Sequence, residues 1–248
     1  LAGPGAEGRL GDVRIENGRA VFIIGALDHG PAAAASGGHI LDAAPTDSET
    51  DVLGYVIATL GQSPRQAVYD SLRIAGDIPE AVVILSGHDS EHPDCPVVTR
   101  YRLGADTPHI LLETVVRNTT GAAVEFMAGD AINWNQGDQF VPGYGFDVTG
   151  LTTLYDEWVG ASGASSYGYC PEEGLMSCRH GLDWTDTQVL EATAAPGDSV
   201  TFRRYLIVGD ALSDASDGIH VVRERTVGII SAQVVSQDSG LPLEGAAL

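Results

Sequence analysis

Two neighbouring stretches, residues 110–117 and 122–132, show the clearest alternation of apolar and polar positions in the chain, with a Thr-Thr-Gly sequence at 119–121 between them. A period of two with many β-branched side chains is typical of half-buried strands. A three-residue loop with glycine in the left-handed conformation predicts a hairpin. In that hairpin Val116 pairs with Val124, and the apolar residues of both strands share one buried face.

Similar strand patterns, separated by turn residues, continue along most of the chain. The further strand candidates are residues 12–16, 19–24, 52–60, 66–75, 81–85, 96–103, 151–155, 165–169, 187–192, 199–208 and 227–236. Asn17-Gly18 joins the first two of these and predicts a tight hairpin. A helical period is confined to one short candidate at 210–223. The sequence therefore predicts an all-β, antiparallel fold of two packed sheets with little helix.

Charge and composition exclude several classes of partner. The chain has 248 residues and a net charge of −21, and its 13 basic residues are all arginine. Such an acidic surface repels nucleic acid and anionic lipid, so we expect no nucleic-acid partner. The sequence has no apolar run long enough to span a bilayer, so we expect no membrane insertion by these residues.

Three stretches carry a resemblance to a known family: residues 11–24, residues 165–174 and residues 196–210. Together they resemble the galactose-mutarotase-like supersandwich of bacterial secreted proteins. The resemblance is strongest to modules that precede PHP-type (CehA/McbA-like) metallohydrolase domains. It implies an antiparallel supersandwich over residues 1–226. No His-x-His metal motif of a PHP site occurs, so the resemblance places that hydrolase outside this sequence.

Residues 227–248 resemble the first hairpin of a carboxypeptidase regulatory-like β-sandwich, a domain common in exported bacterial proteins. This resemblance implies that the polypeptide continues beyond Leu248 and that its partners include further domains of the same chain. It also implies a secreted, cell-surface or periplasmic location.

The three cysteines are Cys95, Cys170 and Cys178. The last two lie eight residues apart around Pro171 and Gly174, in a stretch that has the composition of a tight loop. In an exported protein this spacing predicts a Cys170–Cys178 disulfide, with Cys95 free. The alternative is that all three cysteines are reduced and structural.

All three tryptophans lie within residues 133–184, among asparagine, aspartate and tyrosine side chains. Aromatic faces beside side-chain oxygens are what a glycan site requires. The candidate glycan-binding residues are Trp134, Asn135, Asp138, Trp158 and Tyr167. The alternative is that these rings belong to the core at one end of the sandwich.

Residues 130–138 also concentrate oxygen ligands of the kind that calcium prefers. Asp130, Asn133, Asn135 and Asp138 form the candidate calcium set. The glutamate of an EF-hand is missing, since its place is occupied by Tyr144, and ordinary turn formation is the alternative.

The sequence His88-Asp-Ser-Glu-His92 matches the letters of an inverted zinc-peptidase motif. That chemistry needs a helix, because only helical spacing brings both imidazoles onto one metal ion. Gly87 and Pro93 flank the motif between two strand candidates, which predicts a solvated acidic loop. A loop metal site with His88, His92 and Asp94 is the alternative.

These patterns favour a non-catalytic β-sandwich module of a larger exported protein, which serves as a scaffold or binds a glycan. The histidine and glutamate that act in true aldose mutarotases match no position here. One alternative is a carbohydrate-active enzyme, an epimerase or lyase, that uses the loops of residues 133–184. A third hypothesis is a structural subunit of an extracellular assembly, with strands or faces that pack against other copies.

Overall fold

The computed structural model describes residues 1–76, 79–135 and 137–226. They form two antiparallel sheets that enclose one apolar core, followed by one helix, α1 (Leu212–Val222). The strands are β1 (Val13–Glu16), β2 (Ala20–Ile24), β3 (Ile40–Pro45), β4 (Tyr55–Thr59), β5 (Ala67–Ala75), β6 (Glu80–Asp89), β7 (Pro96–Gly104), β8 (His109–Arg117), β9 (Val124–Asn133), β10 (Asp138–Phe140), β11 (Thr152–Asp156), β12 (Val159–Ser162), β13 (Ser166–Pro171), β14 (Met176–His180), β15 (Trp184–Gln188), β16 (Leu190–Ala194) and β17 (Ser199–Gly209).

The first sheet has nine strands in the order β1-β2-β3-β4-β9-β15-β14-β11, with β16 also paired to β9. The second has eight strands in the order β10-β12-β13-β17-β8-β7-β6-β5. The all-β, antiparallel prediction is confirmed. The predicted hairpin at Asn17-Gly18 is also confirmed, since Val13 pairs with Ile24 and Glu16 pairs with Val21.

The predicted hairpin between β8 and β9 is wrong. Val116 pairs with Val97 on β7 and with Val200 on β17, and Val124 lies in the other sheet, opposite Ala194. The prediction of which face of each strand is buried is nevertheless correct, because Val116 and Val124 are both buried. Two strands that face each other across a core bury the same alternate positions as two strands of one hairpin. Alternation therefore does not distinguish the two arrangements.

The connection from β8 to β9 is an arch between sheets, and the buried side chain of Asn118 holds it. Its Nδ2 atom donates to the carbonyl oxygens of Ala122 and Ala194, at 2.7 and 2.8 Å. Its Oδ1 atom accepts from the backbone nitrogen of Thr120, at 2.9 Å. Gly121 is not among the glycines with positive φ, so it does not form the predicted left-handed turn.

Helix α1 packs on the outer face of the eight-stranded sheet. Ile219 and Ile207 form a small apolar cluster with Trp158 and Cys170 between the helix and the strands. A side chain at Gly168 would lie 2.8 Å from the Ile219 Cδ1 atom, so glycine is what allows this close approach. In the part of the chain that the structure describes, no helix has the length and apolar character needed to cross a membrane.

The predicted Cys170–Cys178 disulfide is absent, and both residues are free, buried thiols. Cys170 lies on β13 under α1, whereas Cys178 lies on β14 in the other sheet and faces the main core. The residues between them were predicted as a tight loop, but they lead from one sheet to the other. Cys95 is also free, and residues 227–248, with their predicted hairpin, lie outside the described residues.

Candidate ligand-binding groove on the nine-stranded sheet

The aromatic residues predicted to bind a glycan lie in the core. Trp134 has no exposed surface, and its Nε1 atom donates to Thr185 Oγ1 at 2.8 Å. The Tyr167 hydroxyl is buried against Asp51 Oδ1, at 2.8 Å. Trp158 is 7% exposed and belongs to the cluster under α1. A stacking platform must leave one ring face open, so the core alternative describes these three residues.

The four side chains of the candidate calcium set do not converge. Asp130 faces the core and binds Arg204, whereas Asn133 lies three positions further along β9 and so on the opposite face. Asn135 donates its amide to the Pro4 carbonyl, and Asp138 begins β10 in the other sheet. A calcium ion needs several of these oxygens within one coordination sphere. This arrangement does not provide them.

The zinc-peptidase letters at 88–92 also lack the geometry that their chemistry needs. His88 and Asp89 end strand β6, so no helical i, i+4 pair exists. The Asp89 carboxylate is bound by Arg65, whose Nη2 atom lies 2.6 Å from Asp89 Oδ2. Asp89 therefore holds the loop between β4 and β5, in which Arg65 lies, and does not bind a metal.

A polar surface instead lies on the outer face of the nine-stranded sheet. Along β15, Trp184, Asp186 and Gln188 alternate with buried threonines. On the adjacent strand β14, Ser177 and Arg179 point the same way, opposite Gln188 and Asp186. The sequence alternation itself places these five side chains on one face.

Four of these side chains, those of Ser177, Arg179, Asp186 and Gln188, line a groove of about 500 Å³. Its lining is Thr59, Gly61, Gln62, Ser63, Met127, Thr152, Ser177, Cys178, Arg179, Asp186, Thr187 and Gln188. Gly129 contributes to its shape, because a Cβ atom there would lie 1.9 Å from the Thr187 carbonyl oxygen. Only glycine allows β9 to pass so close to the irregular junction of β15 and β16.

Trp184 does not line this groove but lies on the same face of β15, two positions before the lining residue Asp186. The Arg179 guanidinium carbon is 5.8 Å from its ring centroid. One side of the ring covers Gly181, where a Cβ atom would lie 2.1 Å from the indole. Asn133 pairs with Trp184 on one side and with Tyr55 on the other, which places the three side chains in one row across the sheet.

Burial raises the pKa of the Asp186 carboxyl, and the neighbouring Arg179 opposes that shift. Burial also raises the pKa of the Tyr55 hydroxyl. The groove therefore combines a carboxylate, a guanidinium and several amide and hydroxyl groups, and the rings of Trp184 and Tyr55 lie on the same face of the sheet beside it. This chemistry suits a ligand with many hydroxyl groups and apolar C–H faces.

A larger depression of about 780 Å³ lies beside α1, but its chemistry is less suitable. Its lining includes Asp47, Asp106, Asp210, Asp214 and Asp217, and His109 is the only aromatic side chain in this lining. These carboxylates repel one another and provide no flat apolar surface.

No protein-family model matches the chain, and no curated protein matches it. Solved structures do match. A TPR-domain containing protein from Parabacteroides distasonis superposes with a TM-score of 0.60 at 12% identity, over 93% of this chain and 51% of that one. A galactose mutarotase-like protein from Lactobacillus casei superposes with a TM-score of 0.51 at 7% identity, over 80% of this chain and 100% of that one. The fold is galactose-mutarotase-like.

The same galactose-mutarotase-like fold forms part of larger enzymes. The GH36 alpha-galactosidase AgaA from Geobacillus stearothermophilus matches with a TM-score of 0.55 at 11% identity, over 85% of this chain and 42% of that one. This chain thus spans about half the length of the first of these structures and less than half of the α-galactosidase. Identities this low establish the fold alone.

The sequence predicts a glycan site among residues 133–184 with Trp134 or Trp158 as the stacking ring, and the structure buries both of these rings. Trp184 lies in the same loop-rich stretch of the sequence but is only partly buried in the structure. The signal that identifies the outer face is the alternation Trp184-x-Asp186-x-Gln188, in which the intervening threonines are buried. Reading that period-two pattern as a strand would have placed Trp184 beside Asp186.

Proposed function

We propose that this chain is a carbohydrate-binding β-sandwich module and that the groove on its nine-stranded sheet is the binding site. The observation that carries the proposal is the shared outward face of Trp184, Asp186 and Arg179. An aromatic ring offers a surface to the C–H face of a sugar, while the carboxylate and guanidinium bind its hydroxyl groups.

The groove supports binding more than catalysis. Asp186 is the only carboxyl group among the lining residues that the structure describes. Glycoside hydrolysis uses a pair of carboxyl groups, and epimerisation needs an acid and a base within reach of one sugar. The enzyme alternative, an epimerase or lyase, would need a second titratable group from elsewhere. Galactose appears in the names of two matched proteins, which favours a hexose ligand.

The wider context belongs to the same proposal. We infer an exported bacterial protein in which this module accompanies further domains, among them a carboxypeptidase regulatory-like domain and a PHP-type hydrolase. The net charge of −21 disfavours nucleic acid as a partner. Self-assembly through exposed strands is the alternative for a structural subunit, and it predicts stable oligomers at micromolar concentration without any glycan.

A glycan array followed by titration calorimetry with the best hexose-containing ligand tests the groove. We expect Trp184→Ala and Asp186→Asn each to weaken binding at least about tenfold, which corresponds to about 1.4 kcal/mol. Tyr144→Ala is the matched control, since it removes an exposed ring that follows β10 of the other sheet. Binding should persist in a calcium chelator, because the single carboxylate lies beside a guanidinium.

Two results would contradict this assignment. Unchanged affinity in both groove variants would move the site elsewhere, and the scaffold function would remain if the native chain bound no glycan on the array. Turnover of a bound sugar, detected by a change in its NMR spectrum, would favour the enzyme alternative.

A further inference from the structure

Three metal-ligating side chains meet at the edge of the nine-stranded sheet. Asp156 ends the edge strand β11, and Cys178 and His180 lie two residues apart on its partner β14. One ligand atom from each lies within 4.8 Å of the others. All three residues are at most 6% exposed. The pairing of β11 with β14 shifts register between Thr153 and Asp156, at the point where Asp156 joins the cluster.

The hydrogen bonds around Thr185 determine which tautomer of the His180 imidazole is present. The Gln139 amide nitrogen donates to the Gly181 carbonyl, so its Oε1 atom is the acceptor for the Thr185 hydroxyl proton, at 2.9 Å. Thr185 Oγ1 accepts the Trp134 indole N–H at 2.8 Å, and His180 Nδ1 lies 3.1 Å from the same oxygen. With its own proton already donated, the oxygen accepts from His180. His180 therefore carries its proton on Nδ1.

The other ring nitrogen, Nε2, then presents a lone pair inside the protein. It is buried without a hydrogen-bond partner among the described residues. Its nearest charged neighbour is Asp156 Oδ2, at 3.9 Å, which is too far for a hydrogen bond and is itself an acceptor. A buried imidazole nitrogen that faces a carboxylate oxygen with no donor between them is unfavourable, and either a proton or a metal ion between the two atoms relieves this contact.

We propose that Asp156, Cys178 and His180 bind a divalent transition-metal ion, with Zn²⁺ as the favoured species. Thiolate, imidazole and carboxylate are the three protein ligands that zinc takes, whereas calcium and magnesium bind oxygen alone. Ligand atoms of a tetrahedral zinc site lie roughly 3.3–3.8 Å apart, so small side-chain rotations would close this cluster around an ion.

The neighbouring groups are those that a zinc site uses to orient its ligands. Thr185 holds His180 Nδ1, which directs Nε2 into the cluster, and the Thr153 hydroxyl donates to Asp156 Oδ2. Burial and the Asp156 charge raise the pKa of the Cys178 thiol, so metal binding must displace a proton from that sulfur. The bound ion would fasten edge strand β11 to β14.

Cobalt titration of the chelator-stripped full chain tests the proposal. We expect one equivalent of Co²⁺ to produce a thiolate-to-cobalt charge-transfer band and visible bands of tetrahedral cobalt. One equivalent of Zn²⁺ should abolish both and raise the melting temperature. A folded native chain that binds no stoichiometric metal, or that binds cobalt without the charge-transfer band, would overturn the assignment.

Single substitutions show which cysteine supplies the sulfur ligand. Cys178→Ser should lose the charge-transfer band, and His180→Gln should weaken cobalt binding at least about a hundredfold, the upper range seen when only the hydrogen-bond partner of a metal ligand is changed. Cys95→Ser and Cys170→Ser are the matched controls, because both remove a buried thiol outside the cluster. If Cys178→Ser does not fold, the Cys95→Ser/Cys170→Ser double variant decides, since Cys178 is then the only thiol. Loss of the band in that folded double variant would refute the site.

Discussion

The Arg204 guanidinium on β17 donates to both carboxylate oxygens of Asp130 on β9, at 2.6 and 2.8 Å, and so joins the two sheets through the core. Both residues are at most 1% exposed. Arg204 also donates to Thr114 Oγ1, and the Tyr169 hydroxyl donates to Asp130, at 2.7 and 2.5 Å. Each nitrogen of the guanidinium and each oxygen of the carboxylate thus has at least one hydrogen-bond partner, as a buried ion pair requires.

Asp130→Ala should destabilise the fold by about 3–5 kcal/mol, because it leaves the buried Arg204 charge without its counter-ion. Urea unfolding measures this change. The double variant Asp130→Leu/Arg204→Met should lose less than Asp130→Ala, since no buried charge remains. Arg14→Ala is the surface control, because its pairs with Glu16 and Glu49 are exposed to solvent and the substitution should change stability much less than Asp130→Ala. A double variant less stable than Asp130→Ala would contradict this account.

Asp51 gives the fold a pH-dependent penalty. Burial raises the pKa of its carboxyl from 3.8 to about 7. This increase remains although the Tyr167 hydroxyl and the backbone nitrogens of Leu53 and Ala43 donate hydrogen bonds to its Oδ1 atom. Between about pH 4 and 7 the unfolded chain loses this proton and the folded chain keeps it. The free energy of unfolding therefore falls as the pH rises, by about 1.4 kcal/mol per pH unit from this group.

Asp51→Asn should remove that slope, because an amide does not ionise. Its stability relative to the native chain should rise from pH 4 to 7 and stay constant above, as measured by urea unfolding at each pH. A constant difference between the two proteins across this window would show that Asp51 titrates normally in the folded state.

Asn118 should be a sensitive position in the arch between the sheets. Asn118→Ala removes a donor from the buried Ala194 carbonyl, at a cost of about 1–3 kcal/mol where no water replaces it, whereas the Ala122 carbonyl can still accept from the Thr120 hydroxyl, at 2.8 Å. Asn118→Asp should be worse at neutral pH, since a carboxylate then faces two carbonyl oxygens, and should recover towards the alanine variant in acid. Equal stability of the aspartate and native chains at pH 7 would contradict this role.

The cysteines should all react as free thiols. Alkylation of the unfolded chain without reductant, followed by mass spectrometry, should label Cys95, Cys170 and Cys178, because the structure places no two in a disulfide. Before unfolding, labelling should be slow, since all three are buried. A single labelled thiol would restore the Cys170–Cys178 bridge predicted from the sequence.

The sequence by itself determined the fold class, most strand positions, the hairpin at Asn17-Gly18 and the short helix α1. It also determined which face of β8 and of β9 is buried, as Val116 and Val124 show. These are local properties: a period of two follows from strand geometry, and a turn follows from the conformations that asparagine and glycine allow. Such information lies within a few neighbouring residues.

Only the tertiary structure decided which strands pair and which polar groups meet. Val116 pairs with Val97 and Val200, because both sheets bury the same kind of face and the choice of partner depends on distant strands. Trp184, not Trp134, reaches the surface for the same reason. His180 faces Asp156 only because β14, read from the sequence as a loop, is a strand paired with β11. A long-range pairing leaves no period in the sequence, so the proposed metal site could not be found there.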